Sequence, residues 1–172
     1  MERPLETLPE DSVAHLLSDW RRERPDLDTW SIAILARVLR LSAQLTQRSS
    51  AWLDELGLTW EAFSLIVTLR RQGAPYALRP TDILRESLLT SGAVTNRIDR
   101  VVKLGLAERI PDPDDRRAII VRLTADGVVR ADQAIAAHIA HLEAVLGELD
   151  PPERGQLAGR LGRALQIVES EG

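Results

Sequence analysis

Residues 109–123 read RIPDPDDRRAIIVRL: two prolines, three aspartates and two adjacent arginines between a basic start and an apolar tail. Clustered Asp and Pro favour a turn, since Pro fixes its own φ and Asp bonds its local backbone. Leu106 to Ile110 before the cluster and Ala118 to Leu123 after it read as short strands, the second with Arg122 set among apolar residues. Two such runs around a turn make a β-hairpin.

Upstream of the hairpin the apolar period is that of a helix. In TSGAVTNRIDRVVKLG, residues 90–105, Thr90 can cap a helix that Gly105 ends. Its spacing turns Val94, Ile98, Val101 and Val102 inward, and Ser91, Thr95, Asn96, Asp99, Arg100 and Lys103 outward. Before it, Pro80 suits the first turn of a short helix reaching about Ser87, and Thr59 caps a helix through Phe63, Ile66 and Leu69 that closes at Gly73. Helix, helix, turn, helix and hairpin in that order make a winged helix-turn-helix.

Long amphipathic helices flank this centre. Val13, Leu16, Leu17 and Trp20 share one face of a helix that Pro25 prevents from continuing, and residues 29–56 carry Ile34, Val38, Leu41, Leu45 and Trp52 before the stop at Gly57. Downstream, Thr124 caps a helix with Ile135, Ile139, Leu142 and Leu146 in a stripe. Asp150, Pro151, Pro152 and Glu153 start the last helix, striped by Leu157, Leu161, Leu165 and Val168. The expected fold class is mainly α with a small β-hairpin wing: a winged helix-turn-helix within a helical dimerisation frame. Its expected parts are N-terminal dimerisation helices in 1–57, a DNA-binding lobe in 58–123 and C-terminal dimerisation helices in 124–172. Stripes of that length exceed what one small domain can bury, which points to a two-fold homodimer.

Composition narrows the function. With 44% hydrophobic and 28% charged residues the 172-residue chain is globular. Zero cysteines exclude disulfides, thiolate metal sites and thiol redox sensing. No apolar run approaches the ~18 residues of a membrane span, and the start MERPLETLPED lacks the regions of a signal peptide, so a cytoplasmic protein is expected. The net charge of −4 argues against wholesale polyanion binding. Residues 77–123, however, hold nine Arg or Lys against seven Asp or Glu, net +2, which leaves −6 for the remainder. A nucleic-acid surface would have to lie there.

Within that region Asn96 can hydrogen-bond adenine at two points, Arg100 can take guanine or phosphate, and Ser91 and Thr95 are short donors near backbone or bases. Gly92 lets the helix approach DNA closely. An arginine at the wing tip can enter a minor groove, where negative potential is concentrated. Arg117 is the candidate, and Asp115 can hold its guanidinium in a bidentate pair.

Asp115, Arg117, Val121, Leu123, Thr124 and Gly127 also reproduce D-x-R-x(3)-V-x-L-T-x(2)-G. In this pattern the chain resembles the MarR family of transcriptional regulators, and the layout is similar from residue 10 to 170. The resemblance implies a homodimeric regulator of double-stranded DNA, with Arg117 in the minor groove and Arg116 on phosphate. Arg79 stands where the family more often has a Ser or Thr cap, and it can touch phosphate instead.

The stretch DWRRERPDLDTW, residues 19–30, further resembles the N-terminal helix of a urate-responsive branch of that family. That likeness implies a ligand site at Trp20, Arg97 and Arg109, suited to a small anionic aromatic effector. The branch's fourth position is an aspartate, and Ser64 occupies it here. The loss of that carboxylate removes an acceptor for ring N–H groups.

No catalytic residue, cofactor or metal is expected. His138 and His141 have a helical metal-ligand spacing but no cysteine partners, and are expected at the surface or an interface. Asp112, Asp114 and Asp115 are expected on an exposed hairpin beside two arginines. A winged helix that binds protein without specific DNA affinity is the alternative from another class.

Overall fold

The computed structural model describes residues 10–86, 94–112, 115 and 118–170. The chain forms two compact units, Met1–Ala51 and Trp52–Gly172. Its elements are α1 (Ser12–Glu23), α2 (Trp30–Glu55), α3 (Trp60–Arg70), β1 (Ala77–Leu78), α4 (Pro80–Glu86), α5 (Val94–Lys103), β2 (Ala107–Pro111), β3 (Ile119–Leu123), α6 (Ala125–Leu146) and α7 (Pro151–Ser170).

In the first unit Val13 and Leu17 of α1 pack with Ala33 of α2, beside Ile32 and Ala36. Asp11 opens α1 by accepting from the N–H groups of Val13 and Ala14, both at 2.9 Å. The same carboxylate pairs with Arg37 of α2 at 2.7 Å, tying the two helices together. That guanidinium holds the Asp11 carboxyl below the ordinary Asp range.

The second unit is built around α3. Ala62, Phe63, Leu65, Ile66, Thr68 and Leu69 are all buried, so this helix is apolar on nearly every side and lies inside the core. Against it pack Ile83 of α4, Ile98 and Val101 of α5, Val121 and Leu123 of the sheet, and Ala131 and Ala134 of α6.

Two glycines end helices as their sequence positions suggest. Gly57 and Gly105 have φ of 64° and 72°. After each, an N–H reaches back five residues: Leu58 to the Leu53 carbonyl at 2.9 Å, and Leu106 to that of Val101 at 3.1 Å. This is the Schellman closure, which needs a left-handed residue at its turn.

Where β3 runs into α6, the residues L-T-x(2)-G form a knot. Thr124 donates its hydroxyl to the Gly105 carbonyl at 2.8 Å and accepts from the Gly127 N–H at 3.0 Å. Its own N–H donates to the Leu106 carbonyl at 3.1 Å. Gly127 then lies so close to β2 that a Cβ there would be 1.9 Å from the Leu106 oxygen.

The sheet has three strands in the order β1-β3-β2, all antiparallel. The hairpin expected from sequence is β2 with β3, in the register Glu108↔Arg122 and Ile110↔Ile120. β1 was not expected. It pairs Ala77 with Arg122 and Leu78 with Val121, and two residues are too few to carry an alternating pattern.

His138 departs from the surface or interface position expected of it. It is half-buried, with ring centroids 5.0 Å from Phe63, 5.6 Å from Trp52 and 5.7 Å from Trp60. Trp52 and Trp60 thus pack as core residues. Burial, and secondarily the nearby His141, lowers the His138 pKa from its ordinary value. A histidine whose folded pKa is depressed contributes stability above the unfolded value of about 6.5, and that contribution is lost as pH falls through the lower folded value. His138→Phe is therefore expected to flatten the fall in chemical stability as pH drops below about 6.5. Equal pH slopes for variant and parent would exclude that role.

α7 begins with a reciprocal cap: the Asp150 carboxylate accepts from the Glu153 N–H, and the Glu153 carboxylate from the Asp150 N–H, each at 2.8 Å. None of its residues is buried. Ile139, Leu142 and Leu146 of α6 face Leu157 and Leu161 of α7 across an apolar groove of about 350 Å³.

Candidate nucleic-acid interface

α4, α5 and the hairpin provide the parts of a winged helix-turn-helix. Arg79 precedes α4, and its carbonyl accepts from the N–H groups of Asp82 and Ile83, both at 2.9 Å. In α5, Ile98 and Val101 are buried and Val94 and Val102 half-buried, while Thr95, Asn96, Asp99, Arg100 and Lys103 are exposed. The inward and outward faces follow the helical spacing read from the sequence. Ser91, Gly92, Arg116 and Arg117 lie outside the described residues.

Ion pairing sorts the basic side chains. Arg122 bonds Glu108 directly across the hairpin at 2.7 Å. Arg109 of β2 donates to Asp99 of α5 at 2.6 Å, linking the wing to that helix. Arg79 donates through Nε to Asp112 at 2.5 Å. Arg85 pairs with Asp82 at 2.8 Å, and Arg71 with Glu86 at 2.9 Å. Arg100 and Lys103 have no ion-pair partner among the described residues. Positive charge without a partner among the described residues of this lobe thus gathers on α5, with Arg100 and Lys103 on its exposed face and Arg97 half-buried.

Asp112 corrects the expectation of an exposed carboxylate: its side chain is 2% exposed, covered by the half-exposed Arg79. Asp115 is exposed, and its carbonyl accepts from the Ala118 N–H at 2.9 Å. Of the residues assigned to a ligand, Arg97 is half-buried on α5, and its Nε and Nη1 are buried without a hydrogen-bond acceptor among the described residues. Ser64 is half-buried on α3, and Arg109 is engaged by Asp99. Trp20 is an exposed residue of the first unit. His138 and His141 join no group of three possible metal ligands among the described residues.

Sequence reading missed the roles of Asp99, Glu108 and Asp112. The Glu108–Arg122 pair could have been found once the hairpin register was fixed, because directly opposed residues of a hairpin interact. Arg79 and Asp112 are 33 positions apart, and nothing local announces their meeting.

Comparison with known proteins agrees with this geometry. The model of the MarR family matches residues 56–118. The HTH-type transcriptional regulator PecS of Dickeya dadantii is 29% identical over 88% of this chain and 91% of its own length. Among solved structures, AbsC, a MarR family transcriptional regulator from Streptomyces coelicolor, superposes with a TM-score of 0.71 at 21% identity, covering 84% of this chain and 97% of that one. A mutant MarR from E. coli complexed with operator DNA gives a TM-score of 0.69 at 23% identity, covering 80% and 97%. These two structures share the fold, the family model shares the sequence of the winged helix, and PecS is similar across nearly its whole length. Residues 56–118 thus match the MarR family, and along most of its length the chain is similar to a transcriptional regulator.

Proposed function

We propose that the protein is a sequence-specific DNA-binding repressor. It acts as a cytoplasmic homodimer on a pseudo-palindromic operator and is released by a small anionic aromatic effector. The observation that carries this reading is the exposed face of α5, where Thr95, Asn96, Arg100 and Lys103 stand on a helix whose opposite face is locked into the core. Arg100 and Lys103 are not neutralised there by any described neighbour. A recognition helix needs both properties: a rigid mount, and side chains free to exchange water and counterions for bases and phosphates. Ser91 and Gly92 extend this face by sequence, and Arg116 and Arg117 supply the wing tip, with Asp115 orienting Arg117. Arg79 serves the surface through its pair with Asp112.

The homodimer reading rests on apolar residues that each unit leaves exposed. On α2 these include Ile34, Leu35, Val38 and Leu39, and on α7 Leu157, Leu161, Leu165 and Val168. Half-sites about 10 bp apart, centre to centre, would match such a dimer.

Release by an anion is supported by Arg97, whose buried N–H groups would gain acceptors from a carboxylate or enolate. An anion reaching Arg109 would compete with Asp99, a carboxylate of the recognition helix itself. The assignments of Trp20 and Ser64, and with them the urate-responsive branch, rest on sequence resemblance. Ser64 favours a ligand with fewer ring N–H groups than urate.

The test is selection of duplexes from a random pool, with and without anionic aromatic acids, followed by titration at several salt concentrations. A specific operator and a steep salt dependence are expected, because phosphate contacts release counterions. No selected sequence and a flat slope would favour a protein-binding module. On the selected operator, Asn96→Ala should relax preference at one base pair by about 1–3 kcal/mol. Arg117→Ala should instead weaken binding across sequences, most where the minor groove is narrow. Parent-like binding by both variants would refute the docking geometry.

A further inference from the structure

Asp112 is a carboxylate at the root of a wing, yet its side chain is 2% exposed. Buried carboxylates are costly unless paired, and the partner here comes from a distant element. Arg79 follows Leu78, the last residue of β1, and Asp112 follows Pro111, the last residue of β2. These are the two outer strands of the sheet, with β3 between them. The ion pair therefore bridges the sheet across its central strand, at the rim where β1 ends and the two-stranded wing continues alone. The Asp112 N–H also donates to the Ala118 carbonyl at 3.1 Å, which continues the hairpin's hydrogen bonding at the same point.

We propose that Arg79 and Asp112 form a latch that holds the wing against the helix-turn-helix, making Arg79 a positioning residue for DNA binding. A two-stranded ribbon twists readily, and two residues of β1 give it little lateral support. Arg116 and Arg117 follow Asp112 by four and five positions in the sequence, so a change of angle at the root would carry to them. Arg109 with Asp99 ties the wing to α5 from the other side. Between them the two pairs set how far the wing tip stands from the recognition helix. That distance must match the step from a major groove to the adjacent minor groove.

This inference rests on the DNA-binding reading and makes a prediction of unusual sign. Asp112→Asn removes a negative charge from a surface that faces a polyanion, yet it is expected to weaken operator binding roughly tenfold, because the latch opens. Arg79→Gln should lose the same factor, and the double variant should be no weaker than either. Exchanging the residues, Arg79→Asp with Asp112→Arg, should recover part of the loss. Footprinting should show minor-groove protection lost at the flanks of the site while protection under α5 persists, which general destabilisation would not produce. If Arg79 touches phosphate instead, Asp112→Asn will bind as tightly as the parent or more tightly. Arg79→Gln alone will then lose affinity, with a salt slope lower by about one; that result overturns the latch. Amide exchange in the free protein is an independent check. Asp112→Asn should speed exchange at the Asp112 and Ala118 amides while α6 is unchanged, and unaltered rates would also overturn the proposal. If the parent selects no duplex at all, the DNA-binding reading falls, and the exchange rates alone decide whether the latch exists.

Discussion

Gly127→Ala is expected to lower the stability of the second unit by about 3 kcal/mol or more, at the upper end of what overpacking costs. The added Cβ would lie 1.9 Å from the Leu106 oxygen, 2.8 Å from its carbonyl carbon and 3.3 Å from its Cα. All three are backbone atoms, so no side-chain rotation can relieve the clash. Nor can Leu106 retreat easily. Its N–H is bonded to Val101 at the end of α5 and its carbonyl accepts from Thr124. Relief would require the start of α6 to move away from β2, breaking the Thr124 cap and opening the core beneath Ala131. Denaturant unfolding of parent and variant measures the effect, with an unchanged m-value showing that the native state remains compact. A difference within about 0.5 kcal/mol, as for an ordinary surface substitution, would mean that the contact is not held in solution.

Leu161→Asp is expected to leave the chain folded but to convert the proposed homodimer into monomers. Leu161 is half-exposed on a helix with no buried residue, so a carboxylate there removes little from the protomer's own core. In a dimer seam the same carboxylate would be desolvated without a partner, which association cannot sustain. Operator affinity should then fall by roughly 10²–10⁴, because a monomer loses the effective concentration that binds the second half-site. Sedimentation velocity at micromolar concentration and operator titration read the two effects separately. A monomeric parent would remove the premise. A dimeric variant with parental affinity would move the seam away from this face of α7.

The sequence by itself determined the helices and the hairpin, and how most of them begin or end. Helical spacing gave α5 its buried Ile98 and Val101 and its exposed Thr95, Asn96 and Arg100. Thr59, Thr124 and the Asp150–Glu153 box start helices, and Gly57 and Gly105 close them. These features are legible because each depends on residues no more than about five positions apart, where the backbone hydrogen bonds of a cap or turn are made. The family pattern went further: the reason for its glycine, the approach of α6 to Leu106, appears only in three dimensions.

Tertiary structure alone decided how the charges are used. Nine basic residues in 77–123 looked equally available in sequence, yet Arg79, Arg85, Arg109 and Arg122 are committed to carboxylates, while Arg100 and Lys103 have no such partner among the described residues. Asp112 read as a solvated turn residue and is buried, and His138 read as a surface or interface residue and packs among Trp52, Trp60 and Phe63. β1 was invisible because two residues have no period, and only the free edge of β3 makes them a strand. In most of these cases the deciding partner comes from a separate element. An ion pair or ring contact of that kind depends on how elements pack, which propensity and spacing along the chain do not encode.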